Sequence, residues 1–129
     1  MISFLRMLVP RHYHSGEIIY EELEEISEIT FVEKGSYYVG YDINKSKKMR
    51  LHFPPGNLIG AINCLFLKKS WHIYQCKFDI NGYAISRSDW LTIEAEFEFM
   101  ATEVKKKMFI FFLKEIRRPL FNHKMRDLE

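Results

Sequence analysis

Two histidines one residue apart, His12 and His14, are followed by Glu17. Two imidazoles and a carboxylate are donor types that a borderline divalent metal accepts. The remaining histidines, His52, His72 and His123, show no ligand spacing. Cys64 and Cys76 sit in apolar stretches and lack the Cys-x-x-Cys spacing of a zinc or redox site. Glu94, Glu96 and Glu98 alternate at the start of a helical segment, which points them to different sides, so they do not pair as acid and base. No phosphate loop and no Ser-His-Asp set can be read. Catalysis is therefore not expected, and His12 and His14 read first as surface or turn residues.

A second stretch offers ligand chemistry of another kind. Leu58, Ile59, Gly60, Ala61, Ile62 and Asn63 follow the stop Pro54-Pro55-Gly56, and Lys68, Lys69, Ser70 and Trp71 come soon after. A glycine there permits close backbone approach to a ligand.

The elements that must position these residues change character along the chain. Ile18 to Tyr20 and Ile29 to Val32 are short β-type segments, followed by Lys34-Gly35 as a turn. Tyr37, Val39, Tyr41 and Ile43 recur with a period of two, as do Met49, Leu51 and Phe53 beyond the polar hairpin loop Asn44-Lys45-Ser46-Lys47. Trp71 to Cys76 alternates less cleanly, Asn81-Gly82 is a tight-turn signal, and Tyr83 to Ser86 is another short strand. Ser88 is the expected N-cap of the first helix, with Asp89, Trp90 and Leu91 behind it. Met100, Val104, Met108, Phe112 and Ile116 recur every four residues, a helical stripe that Pro119 ends or kinks.

Composition fits one ordered domain over residues 1–129, with 47% hydrophobic and 28% charged residues. Eleven Phe and seven Tyr read as core filling, since they supply large buried areas. A net charge of +2, from 19 basic against 17 acidic residues, is too balanced to imply a nucleic-acid polymer as partner. The acidic stretch Glu21 to Glu28 and the basic stretches Lys45 to Arg50 and Lys105 to Lys107 read as solvated faces; the functional alternative is a partner subunit or an anionic membrane surface. No disulfide framework is expected, which favours a reducing compartment. The apolar runs Ile2 to Val9 and Met108 to Leu113 are short of the roughly 20 residues of a membrane span, and the first does not read as a signal peptide. No direct membrane insertion of this segment is expected.

Four stretches, read in order, resemble the cyclic nucleotide-binding domain family. His14-Ser15-Gly16-Glu17-Ile18-Ile19 is similar to its opening Pro-Gly-Glu-x-Ile turn and strand, and Glu28 to Gly35 to its Tyr-Phe-Ile-x-x-Gly segment. Pro55-Gly56-Asn57-Leu58-Ile59-Gly60 resembles the approach to its phosphate-binding cassette, and Tyr83 to Trp90 its last strand and first C-terminal helix. The resemblance spans about Tyr13 to about Ile116. It implies a mainly β domain with C-terminal α (α+β): an antiparallel β-roll, a jelly-roll-like double-stranded β-helix, over about residues 14–87, then two helices over about 88–118. Within the family the chain looks closest to the cytoplasmic domains of voltage-gated channels of the ether-à-go-go and hyperpolarisation-activated type. That likeness implies a regulatory role on the cytoplasmic side of a membrane, as part of an integral membrane protein. The implied partners are the pore-proximal linker and neighbouring subunits of a homotetramer.

The resemblance also places a site at Leu58, Ile59, Gly60, Ala61, Ile62, Asn63, Lys69, Ser70 and Trp71. The family's cassette carries Gly-Glu and, about ten residues on, Arg-Thr or Arg-Ser. Here the Glu position holds Ala61, and the Arg position holds Ser70, followed by Trp71. Lys68 and Lys69 offer only point charges, which do not reproduce a bidentate fork. Losing a desolvated charged contact costs about 2–5 kcal/mol. Weak or no binding of cAMP or cGMP is therefore expected, and no other cofactor. In relatives of this kind a C-terminal segment can fill the pocket, which makes the tail from Asn122 to Glu129 a candidate occupant. Phe109, Phe111 and Phe112 either cover a ligand or pack on the roll.

Two alternatives stand beside this reading. One is a true cAMP or cGMP sensor of a channel or kinase, against which the missing Arg and Glu argue. The other is a cupin-type metal enzyme, which shares the roll topology and would use His12, His14 and Glu17. Its second motif expects a histidine where Ile59 stands.

Overall fold

A computed structural model describes residues 4–129, with side chains described from Arg6 onward. The beginning of the apolar stretch Ile2 to Val9 lies outside the described residues. After a helical turn α1 (Phe4–Met7) come β1 (Val9–Tyr13), β2 (Ile18–Tyr20), β3 (Glu28–Ile43), β4 (Ser46–Phe53), β5 (Leu58–Ile59), α2 (Ala61–Leu65) and β6 (Ile73–Ser86). The chain ends in α3 (Arg87–Glu96), α4 (Glu98–Phe111), a π-helical segment (Phe112–Arg117) and α5 (Arg118–Asp127). All strands join one antiparallel sheet in the order β1-β6-β3-β4, with β2 added to β6 and β5 to β3. This is the expected β-roll followed by helices.

The long strands β3 and β6 do what the sequence divides among shorter ones. Lys34-Gly35 is no chain reversal. Gly35, at φ +91°, sits in a series of register shifts where β3 bends against β6. A Cβ there would lie 2.2 Å from the Asp79 carbonyl oxygen, so only glycine fits. Asn81-Gly82 likewise lies inside β6, opposite Lys34 and Val32, and not in a hairpin. Gly82 is needed because a Cβ would lie 2.1 Å from the Phe31 carbonyl oxygen. The true hairpin is Asn44-Lys45, both at positive φ between the paired Ile43 and Ser46, the geometry that matches strand twist.

The period-two residues point inward as their spacing requires: Tyr37, Val39, Tyr41 and Phe53 are buried. They meet Val32, Ile59, Ile62, Tyr74 and Ile80 in one cluster, which Phe112, Ile116 and Leu120 complete from the C-terminal helix. A second cluster, Ile26, Ile29, Cys64, Ile85 and Ile93, joins α2 and α3 to the other end of the roll.

The helical part differs from the sequence expectation in two places. The N-cap of α3 is Ser86, not Ser88: its hydroxyl accepts the Asp89 N–H. The helix also continues past residue 118 and through Pro119 to Asp127. The π-helical segment lies directly ahead of Pro119, whose missing N–H and ring would disturb the preceding α-turn. The wider turn answers a second need. A four-residue step overshoots a 3.6-residue turn by about 40°, and underwinding keeps Phe112, Ile116 and Leu120 all buried. At the other end of the stripe Met100 is exposed, and its neighbour Ala101 is the buried residue of that turn.

Several members of the charge runs find partners, mostly outside the runs. Lys47 pairs with Glu21 at 2.9 Å, the Glu22 carboxylate accepts the Asp42 N–H, and Arg11 forks onto Glu28 at 2.7 and 2.8 Å. Lys105 reaches Glu94, which also accepts the Trp90 indole N–H, so Glu94 ties α3 to α4. Both cysteines are free and buried, and burial pushes the Cys64 thiol up to about 11. No described helix is long and apolar enough to cross a membrane.

Candidate functional site

Gly60 ends β5 in the left-handed region, at φ +80°, and leads into α2. A Cβ there would lie 2.6 Å from Cγ2 of Ile26, so packing alone requires glycine at this corner. The corner forms one wall of a cavity of about 250 Å³ between the roll and the C-terminal helix. Leu58, Gly60, Ala61, Ile62 and Asn63 line it from the roll, together with Gly56, Asn57 and Tyr74. Lys107, Met108, Phe111, Phe112 and Ile116 close it from the helix.

Four of the expected site residues stand elsewhere. Ile59 is fully buried in the core, paired with Thr30, because alternation turns it away from Leu58. Lys69 is exposed, and its carbonyl accepts the Asn63 side-chain N–H at 2.7 Å. Ser70 is fully buried and spent on structure. Its hydroxyl donates to the His72 carbonyl at 2.6 Å, and its backbone exchanges two hydrogen bonds with Leu23 and Glu24. Trp71 is half-exposed and packs on Phe112, with ring centroids 5.3 Å apart. Trp71 lines a neighbouring cavity of about 310 Å³ with His72, Phe109, Phe112, Leu113 and Arg117.

Phe112 therefore stands between two cavities and belongs to the core at the same time. Phe109 meets Phe66 across the outer edge, at 6.4 Å between centroids. The tail from Asn122 to Glu129 lines neither cavity; it is α5 for most of its length, and Asp127 anchors it to Arg50 of β4. The cavity wall contributed by the helix was legible only as an apolar stripe, since nothing local says what a stripe faces.

The electrostatics follow from this packing. Among the described residues, Lys107 is the one charged side chain lining the first cavity, and no arginine lines it. Burial raises the Tyr74 phenol, which stays neutral at ordinary pH. His72 is pushed down to about 4, first by burial and then by nearby Lys124, so it too is neutral. The cavity is an apolar chamber with one cation at its rim. An anionic phosphate placed there would lack the paired guanidinium that repays its desolvation.

His12 and His14 do come together, with ring centroids 4.6 Å apart, but Glu17 is not their carboxylate. Glu17 turns back to accept the His14 backbone N–H, and Asp79 stands beside the imidazoles instead. Ile59 is far too deeply buried to serve a cupin-type surface site, and the roll interior holds no histidine cluster among the described residues.

No family model matches the chain, and no curated protein matches it. Solved structures do. The catabolite activator protein of Thermus thermophilus is similar at 17% identity and a TM-score of 0.74, over 86% of this chain and 52% of that one. The regulatory domain of Toxoplasma gondii protein kinase A, solved with cAMP, aligns at 16% identity and a TM-score of 0.65, over 84% of this chain and 40% of that one. The regulatory subunit of a cAMP-independent protein kinase A from Trypanosoma brucei aligns at 19% identity and a TM-score of 0.56, over 62% and 28%. The chain thus spans about half the length of the activator protein and less of the kinase chains. It has the fold of the cyclic nucleotide-binding domains: an antiparallel β-roll closed by C-terminal helices.

Proposed function

We propose that this chain is a regulatory, non-catalytic domain that binds cyclic nucleotides weakly or not at all and works through contacts with the rest of a larger protein. The fold is found in a kinase regulatory domain solved with cAMP and in a subunit of a cAMP-independent kinase, so pocket chemistry decides between the two cases. One observation carries the weak-binding reading. Counted without a gap along the sequence resemblance, the place of the phosphate-binding Arg falls on Ser70, whose side chain is fully buried and bonded to the His72 carbonyl. That hydroxyl is already committed to the fold.

The larger protein we propose is a voltage-gated potassium channel, on the sequence resemblance to ether-à-go-go-type domains. The roll would hang on the cytoplasmic side and contact neighbouring subunits of a tetramer. Exposed Phe97, Phe99 and Met100 at the α3–α4 junction suit such interdomain contact. A full-length protein that is not tetrameric would remove the channel reading.

The test of binding is a thermal-shift titration with cAMP and cGMP to millimolar levels. A ligand at ~100 times its Kd stabilises the fold by ~2.7 kcal/mol. We expect a flat curve. A saturable shift with either nucleotide would make the domain a sensor in which Lys107 and the backbone do the work of the missing Arg.

A further inference from the structure

We infer that His12, His14 and Asp79 form a binding site for a divalent transition-metal ion, of which zinc is the probe, at the junction of β1 and β6. This goes beyond the regulatory reading and does not depend on it. The site follows from register. His12 pairs with Asn81 and Tyr13 with Ile80 at the end of β1, and His14 follows directly, its ring centroid 4.6 Å from that of His12. Residues two apart share one face of a strand. His12 lies opposite Asn81, and His14, just past the end of β1, brings its imidazole to Asp79 on the same exposed face.

The ligand atoms of His12, His14 and Asp79 all lie within 4.8 Å of one another. A four-coordinate ion with bonds of about 2.0–2.2 Å needs separations of about 3.4 Å. All three side chains are exposed, and closing that difference takes only small side-chain movements at the surface.

The surroundings orient the donors. His12 Nδ1 lies 2.7 Å from Asn81 Oδ1. An N–H donated there leaves Nε2 with its lone pair for the ion, the arrangement that fixes a ligating imidazole. Asp79 Oδ1 accepts the Ser15 backbone N–H at 2.7 Å, which leaves Oδ2 for the ion. Two imidazoles and one carboxylate suit zinc and its neighbours, with water completing the shell. The bound ion would clamp the end of β1 to β6.

The experiment is calorimetric titration of the tag-free, chelator-treated chain with zinc chloride. We expect one ion per chain with micromolar affinity. His14→Ala and Asp79→Asn should each weaken it at least tenfold, and Asn81→Ala, which loses the orienting partner of His12, about tenfold. His52→Ala, on distant β4, should leave it within about twofold, and circular dichroism should show each variant folded. No saturable binding below about 1 mM, or affinity untouched by His14→Ala and Asp79→Asn, would overturn the site. Nucleotide binding is read in a separate titration, so the failure of one proposal leaves the other standing.

Discussion

Asp127, near the last turn of α5, accepts two guanidinium hydrogen bonds from Arg50 of β4, at 2.8 and 3.0 Å. The Tyr41 hydroxyl donates to the same carboxylate. The fork fastens the C-terminal helix to the sheet beyond Leu120, its last buried residue. Arg50 and Tyr41 hold the Asp127 carboxyl below its ordinary range. Asp127→Asn should free the end of α5 without disturbing the roll. Arg50→Lys should do much the same, because a lysine keeps the charge and loses the fork. Hydrogen exchange should show faster amides from about residue 121 onward and unchanged protection in β3 and β6. Unchanged protection in α5 would show that Leu120 alone holds it.

Phe112 is where the helix enters the core. It is 6% exposed and touches both cavities. Phe112→Ala should cost about 3–5 kcal/mol in urea denaturation. Phe99, 82% exposed, is the control, and Phe99→Ala should change stability by no more than about 0.5 kcal/mol. Equal effects would mean the helix is not seated on the roll in solution.

His72 supplies a pH dependence whose sign is set by burial. Its folded pKa is pushed down to about 4 from 6.5. Between those values the unfolded chain binds the proton and the folded one does not. Stability is therefore full above about pH 6.5 and falls as pH drops toward 4, by about 3 kcal/mol at most. Since the ring lies 6.2 Å from Phe112, protonation should loosen the helix first. Denaturant midpoints measured from pH 7 to pH 4 should fall for the native chain and flatten for His72→Phe. The same slope in both would place the proton elsewhere.

Ser70 offers a test of the degenerate site. If the position were merely short of its arginine, Ser70→Arg would restore a phosphate contact. The side chain is fully buried and bonded to the His72 carbonyl, so a guanidinium there would be buried without a partner. The expected outcome is a loss of about 3–5 kcal/mol and no gain in cyclic nucleotide affinity, read by denaturation and thermal shift. A stable variant that binds cAMP saturably would show that the loop opens readily and the site needs only its charge.

Much of this was legible in the residues. Period two in Tyr37, Val39 and Tyr41 and in Met49, Leu51 and Phe53 marks strands with one buried face, and the resemblance of four ordered stretches to the cyclic nucleotide-binding family implies the roll. Of the ligand-binding candidates that the family resemblance implies, Leu58, Gly60, Ala61, Ile62 and Asn63 line the cavity. These are local properties: alternation and a glycine at a corner are carried by neighbours in the chain. The hairpin signals failed at Gly35 and Gly82 because glycine also serves where another strand's backbone comes too close for a Cβ. That need depends on the partner strand.

What the chain determined by itself is which face of each element is apolar, because side-chain direction follows from backbone geometry within one segment. What only the tertiary structure decided is what each face meets. The pairing of Ser15 with Asp79, 64 residues apart, and of Arg50 with Asp127, 77 apart, is set by strand register and by where the helix docks. The burial of Ser70, the passage of a helix through Pro119 and the exchange of Glu17 for Asp79 beside the histidines share that origin. Each is fixed by desolvation and packing against residues distant in sequence, and no spacing along the chain records it.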